Sequence, residues 1–170
     1  MLAARLPGCP AARRPGCPAA RRPGCGLAAP GAATVWSGAV DSSDVSQWFG
    51  EYLDVFAACC RGERETSALL GYFGVPLLLT TGGGYFALTS EEQVVAGLQP
   101  QVDQMRAAGY ARSEILGADV TVLNATSALY QGKISRQRGD GSEISLLVAT
   151  YLVTDGPGGR RFSVLAVQSS

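Results

Sequence analysis

The sequence predicts an α+β domain: three N-terminal helices with a β-hairpin, then an antiparallel sheet resting on the long third helix. Three observations predict it. Ser90 to Tyr110 carries apolar residues at helical spacing between a capping serine and a terminal glycine. Gly82-Gly83-Gly84 divides two short apolar runs, as a hairpin turn does. From Arg112 onward, turn residues separate four segments rich in strand-forming residues.

The elements follow in chain order. In residues 1 to 40, PGCPAARR occurs at Pro7–Arg14 and again at Pro15–Arg22, followed by PGCG at Pro23–Gly26. Proline and glycine in every unit prevent a helix, and nothing alternates as a strand would. A disordered Pro/Gly/Ala/Arg tail is therefore expected there. Its cysteines, Cys9, Cys17 and Cys25, stand eight residues apart, which matches no usual metal-ligand spacing. A duplicated stretch ahead of ordinary protein sequence also suggests that translation in the cell starts later, with Val40 a candidate start.

The first helix is expected over Asp41 to Cys60. Asp41, Ser42 or Ser43 caps it, and Val45, Trp48, Phe49, Tyr52, Phe56 and Cys59 form its buried stripe. Gly62 breaks it, and Glu63 to Leu70 reads as a short second helix. Cys59 and Cys60 are sequence neighbours that face apart, so buried inert thiols are expected. Val75–Thr81 and Tyr85–Thr89 are the hairpin strands. The triple glycine runs into a strand without a lysine, unlike a phosphate-binding loop.

Ser90 caps the long helix, with Gln93 completing a capping box and Glu91 and Glu92 on the positive end of its dipole. Val94, Val95, Leu98, Val102 and Met105 make its apolar stripe, and Gly109 is the terminating residue. Pro100 removes a backbone donor and crowds the preceding turn, so a kink or break near Gly97 to Gln99 is expected. The strands that follow are Arg112–Leu123, Ser127–Arg138, Glu143–Thr154 and Arg160–Val167, a simple antiparallel meander. Both faces of Glu143–Thr154 are largely apolar, so this strand is central and covered on both sides. One side takes the long helix, and a second copy of the chain is the economical cover for the other.

Composition narrows the chemistry. The formal net charge is zero, but five arginines and no acid lie in residues 1 to 39. The remainder carries nine basic and fourteen acidic residues, a net of −5. A mildly acidic domain argues against a nucleic-acid surface. No apolar run approaches the ~20 residues of a membrane span, so no membrane association and a cytoplasmic location are expected. The chain has no histidine, which excludes imidazole catalysis and the commonest metal ligand. No cofactor and no metal are expected.

The aromatic first helix VSQWFGEYLDVFAACCRGE, the run QMRAAGYARSEILGADVTVLNATSALYQGKISRQ and the closing VATYLVTDGPGGRRFSVLAV resemble the NTF2-like superfamily, which includes SnoaL-like and ketosteroid-isomerase-like proteins. The resemblance spans about Ser43 to Gln168 and implies a curved sheet wrapped on the long helix, forming a cone. It implies an apolar pocket at the cone mouth and dimers paired through the sheet. The pattern departs from the isomerases where their base belongs: Leu79 and Thr80 occupy that strand. Thr150 stands near their buried acid, and Tyr52 lies roughly where their oxyanion-hole tyrosine lies. Without the carboxylate, isomerase chemistry is not expected.

The first functional expectation is a domain that binds an apolar or amphipathic small molecule in its cone, as a homodimer. Its lining would be Trp48, Tyr52, Phe56, Tyr85, Tyr130 and Thr150. A second is a SnoaL-like cyclase, dehydratase or hydrolase. It would use Asp119, with Tyr52 or Tyr130, if that carboxylate lies inside the cone and burial raises its pKa. A third is a non-catalytic dimerisation or interaction module whose cone is filled by its own side chains.

Overall fold

The computed structural model describes residues 39–168. The repeat and its three cysteines lie outside the described residues. Elements run in the order α1 (Ser42–Cys60), a 3-10 helix (Thr66–Gly71), β1 (Phe73–Thr81), β2 (Gly84–Leu88), α2 (Glu91–Ala107), β3 (Tyr110–Asn124), β4 (Ser127–Arg138), β5 (Glu143–Gly156) and β6 (Gly159–Gln168). Among the described residues two α-helices are present where three helices were expected. The second one starts later and closes as a six-residue 3-10 turn. Gly62, at φ 78°, ends the first helix, and the Arg61–Glu63 ion pair occupies the turn that follows. What remains is too short for α-helical bonding to repay its nucleation.

The caps follow the sequence. Asp41 accepts the Ser43 N–H at 2.8 Å, and Ser90 accepts that of Gln93 at 3.3 Å. The Gln93 side chain reaches back to the Thr89 N–H at 2.7 Å, one residue ahead of the cap. Gly109, at φ 74°, takes the left-handed conformation that follows a helix end. No break occurs at Pro100, and α2 runs through it. Pro100 and Ala96 both face solvent, so water can satisfy the Ala96 carbonyl that loses its donor. The α1 C-terminus has no basic residue of its own. Arg106 of α2 supplies one, donating to the Cys59 and Cys60 carbonyls at 2.8 and 3.3 Å.

The six strands form one curved sheet in the order β2-β1-β6-β5-β4-β3. The four-strand meander is as expected. The hairpin, however, joins it by a parallel pairing of β1 with β6, so the sheet is mixed. Register shifts in four of the five strand pairs bend it.

The helix that fills the concave face is also not the one expected. α1 buries seven residues and packs on β3 and β4, whereas α2 buries Val94, Leu98, Val102 and Met105 and packs on the 3-10 turn, α1 and the hairpin. The difference lies in side-chain volume: Phe49, Tyr52 and Phe56 give α1 a deeper apolar face than the aliphatic stripe of α2. Val40 closes one end of the core, buried and with its N–H on the Ala125 carbonyl at 3.1 Å.

Candidate functional site

The concave side of the sheet holds four of the expected lining residues. Tyr52, Phe56 and Tyr130 are buried and Trp48 is half-buried. They do not surround a space; they occupy it. Tyr130 stacks on Phe49 with centroids 3.8 Å apart and an interplanar angle of 12°. Tyr52 lies 5.0 Å from Phe162, 5.7 Å from Phe73 and 5.7 Å from Tyr72. Trp48 and Tyr151 each approach Phe162 to 4.7 Å. At the other end Phe56 meets Tyr110 at 5.7 Å, and the Arg136 guanidinium lies 5.6 Å above the Phe56 ring.

The remaining expected residues lie on the other face of the sheet. Partnering runs Tyr85–Thr80–Ala166–Thr150–Gln131–Asp119, one row across all six strands of the convex side. Tyr85 is 74% exposed, Thr150 is half-buried and Asp119 is exposed, accepting only the Thr121 hydroxyl at 3.3 Å. Asp119 is thus separated by the sheet from Tyr52 and Tyr130. Ile115 lies on the opposite face from Asp119, because a register shift between Ile115 and Gly117 changes the alternation and sets Ile115 opposite Ile134 on the concave side. Of the strand that replaces the isomerase base, Leu79 packs on the core and Thr80 faces outward.

Ionisable groups in the interior are weak acids held neutral. Burial pushes the Tyr151 hydroxyl up to about 12 and that of Tyr130 likewise to about 12, and raises those of Tyr52 and Tyr110. Burial also raises the Cys59 thiol and pushes Cys60 up to about 12. No carboxylate is buried among the described residues, whose buried polar side chains are Thr66 and Ser135. No cluster of three metal-ligating side chains exists among them, and no helix there is long and apolar enough to cross a membrane.

The two thiols are expected to resist iodoacetamide in native protein at neutral pH and to label fully in denaturant. Peptide mapping of Cys59 and Cys60 checks this. Rapid native labelling would contradict the burial described here.

Three hollows stand out on the surface of the described residues, and none of them is lined by Trp48, Tyr52, Phe56 or Tyr130. A hollow of about 350 Å³ on the convex face includes Asp119, Gln131, Lys133, Val148 and Thr150. One of about 430 Å³ lies beside the start of α2, at Leu70, Glu91, Val95 and Gln99. The largest, about 810 Å³, follows the seam between β1 and β6. Sequence reading missed this seam because it forms between strands far apart in the chain.

A family model described as NTF2-like protein (DUF6841) matches residues 42–170. No curated protein matches the chain. Among solved structures, a Nostoc punctiforme protein of unknown function with a cystatin-like fold is 13% identical, with a TM-score of 0.58 over 78% of this chain and 95% of that one. An NTF-2 like protein of unknown function from Shewanella oneidensis is 14% identical, with a TM-score of 0.57 over 75% and 98%. A Catenulispora acidiphila protein solved in complex with S-DNPA is 12% identical, with a TM-score of 0.54 over 74% and 90%. At these identities the likeness concerns the fold alone.

Proposed function

The chain belongs to the NTF2-like family DUF6841, and from that premise we propose that this domain is a non-catalytic association module that pairs with a second copy of itself through the convex face of its sheet. The observation that carries this reading is the interlocked aromatic interior: the rings of Phe49, Tyr52, Tyr130 and Phe162 pack against one another inside the cone, and none of the three surface hollows reaches Tyr52 or Tyr130. Binding energy is then available only on the outside. The convex face offers half-buried Leu129, Leu146, Val148, Leu152 and Val164 in one apolar field, and among the described residues no helix packs over it.

An interface between two identical faces must be self-complementary. Asp119 and Lys133 place opposite charges in the same convex hollow, so two copies can exchange them across a two-fold axis. The enzyme alternative has no interior carboxylate to use among the described residues, and its best candidate lies across the sheet from both tyrosines.

Sedimentation of the full chain tests the reading. The wild type is expected to dimerise at micromolar concentration. Val148→Glu is expected to weaken the dimer about thirtyfold or more: the added carboxylate stands across from Lys133, which the second copy's Asp119 needs, so one carboxylate is left buried without a partner at a cost of at least ~2 kcal/mol. Circular dichroism should stay unchanged, because Val148 faces away from the aromatic core. A monomeric wild type, or a Val148→Glu protein that dimerises equally well, sinks the proposal.

A further inference from the structure

The seam between β1 and β6 has features that the dimer reading leaves unused. Phe73 pairs with Phe162 and Leu78 with Val164, so five steps along β1 answer two along β6. The excess backbone, Gly74 to Leu77, departs from the ladder there. The resulting groove of about 810 Å³ is of the size that holds small molecules, roughly 300–1,000 Å³. Gly74 is suited to the narrow point, since a β-carbon there would stand 3.2 Å from the Phe162 carbonyl oxygen.

Four groups define what the groove can take. Arg161 donates Nη1 to the Arg160 carbonyl at 2.7 Å and has no carboxylate partner among the described residues. Asp155 lines the same groove, but Arg160 engages both of its oxygens, at 2.8 and 2.9 Å, so it does not neutralise Arg161. The Thr154 and Ser163 hydroxyls lie 2.5 Å apart. When Thr154 donates to Ser163, the Ser163 proton is left for a further acceptor. Glu91, on the wall contributed by the start of α2, repels a second negative charge. Between these polar groups Val75, Pro76 and Leu78 give the groove apolar walls, and Val75 is 43% exposed.

We propose that this groove binds a small amphipathic monocarboxylate, its carboxylate on Arg161 and Ser163 and its hydrocarbon part over Val75, Pro76 and Leu78. A guanidinium offers a carboxylate two parallel donors, which an alcohol cannot match. Octanoate and 1-octanol, titrated into isotope-labelled full-length protein and followed by amide chemical shifts, separate the two contributions.

Octanoate is expected to shift the amides of Gly74 to Leu78 and Gly156 to Ser163, and to bind about tenfold more tightly than 1-octanol. Arg161→Gln is expected to abolish that preference with its thermal transition unchanged, and Arg161→Lys to retain part of it. Suberate, with a second carboxylate, is expected to bind more weakly than octanoate. Absence of shifts at the seam, equal affinity for acid and alcohol, or an undiminished preference in Arg161→Gln overturns the proposal. Val148→Glu protein should bind octanoate as wild type does, so failure of the dimer and failure of this site are read separately.

Discussion

Phe162→Ala is expected to destabilise the domain by about 3–5 kcal/mol, read as a lower urea midpoint at unchanged slope. Phe162 is fully buried on β6. Its ring lies 4.7 Å from Trp48, 4.7 Å from Tyr151, 5.0 Å from Tyr52, 5.2 Å from Phe73 and 5.8 Å from Phe49. Those rings belong to α1, β1 and β5, so the residue packs against three elements at once. Alanine removes the ring's burial and leaves a void that neighbours on a closed strand ladder cannot fill. Phe86→Ala supplies the contrast. Phe86 is 53% exposed on an edge strand, and its loss should stay within about 0.5 kcal/mol. Equal costs at the two positions would mean that the interior is not packed as described.

Alkaline pH should destabilise the domain through its buried phenols and thiols. In the unfolded chain thiols ionise near 8.5 and phenols near 10. In the folded chain burial pushes Cys60, Tyr130 and Tyr151 up to about 12, and Tyr52 is raised well above its ordinary value. Each group therefore keeps its proton longer when folded. The sign follows: their contribution is fully present below the unfolded pKa and is lost as pH rises through the folded one. For Tyr151 the rise to about 12 corresponds to about 3 kcal/mol. The urea midpoint should be level up to about pH 8.5 and then fall towards pH 12. In Tyr151→Phe the fall between about pH 10 and 12 should be shallower. Parallel curves for the two proteins would remove Tyr151 from the account.

Local signals were legible in the sequence and relations between distant segments were not. Asp41 and Ser90 capped their helices, Gly109 ended α2, and β4 runs from Ser127 to Arg138 as its turn residues implied. These depend on neighbours a few residues away. The β1–β6 pairing leaves no such trace, since strand partnership is decided by which faces meet, not by either strand alone. The same gap explains the division of the expected lining residues. Whether Tyr85 and Thr150 share a side with Tyr130 depends on register across several strands.

Asp119 had a readable signal that the bulge disguised. Ala118, Val120 and Val122 alternate with Gly117, Asp119 and Thr121, which marks the carboxylate as facing water. Extending that alternation back to Ile115 crosses the register shift and attaches an apolar neighbour that belongs to the other side. The aromatic α1 stripe was plain in sequence. That its rings would meet Tyr130, Tyr151 and Phe162 closely enough to close the cone is a matter of volume, which periodicity does not report.

The strand that is last in the chain, β6, stands in the middle of the sheet, between β1 and β5. The ribosome therefore releases the hairpin with one of its edges unmatched. Roughly seventy further residues must be made before the hairpin's neighbour emerges, a wait of several seconds at ~5–20 residues per second. Throughout that interval the edge of β1 that will take β6, from Leu78 to Thr80, has no strand beside it to exclude other chains. Protein cut short before β6 is therefore expected to aggregate, since the open edge of its hairpin is never covered.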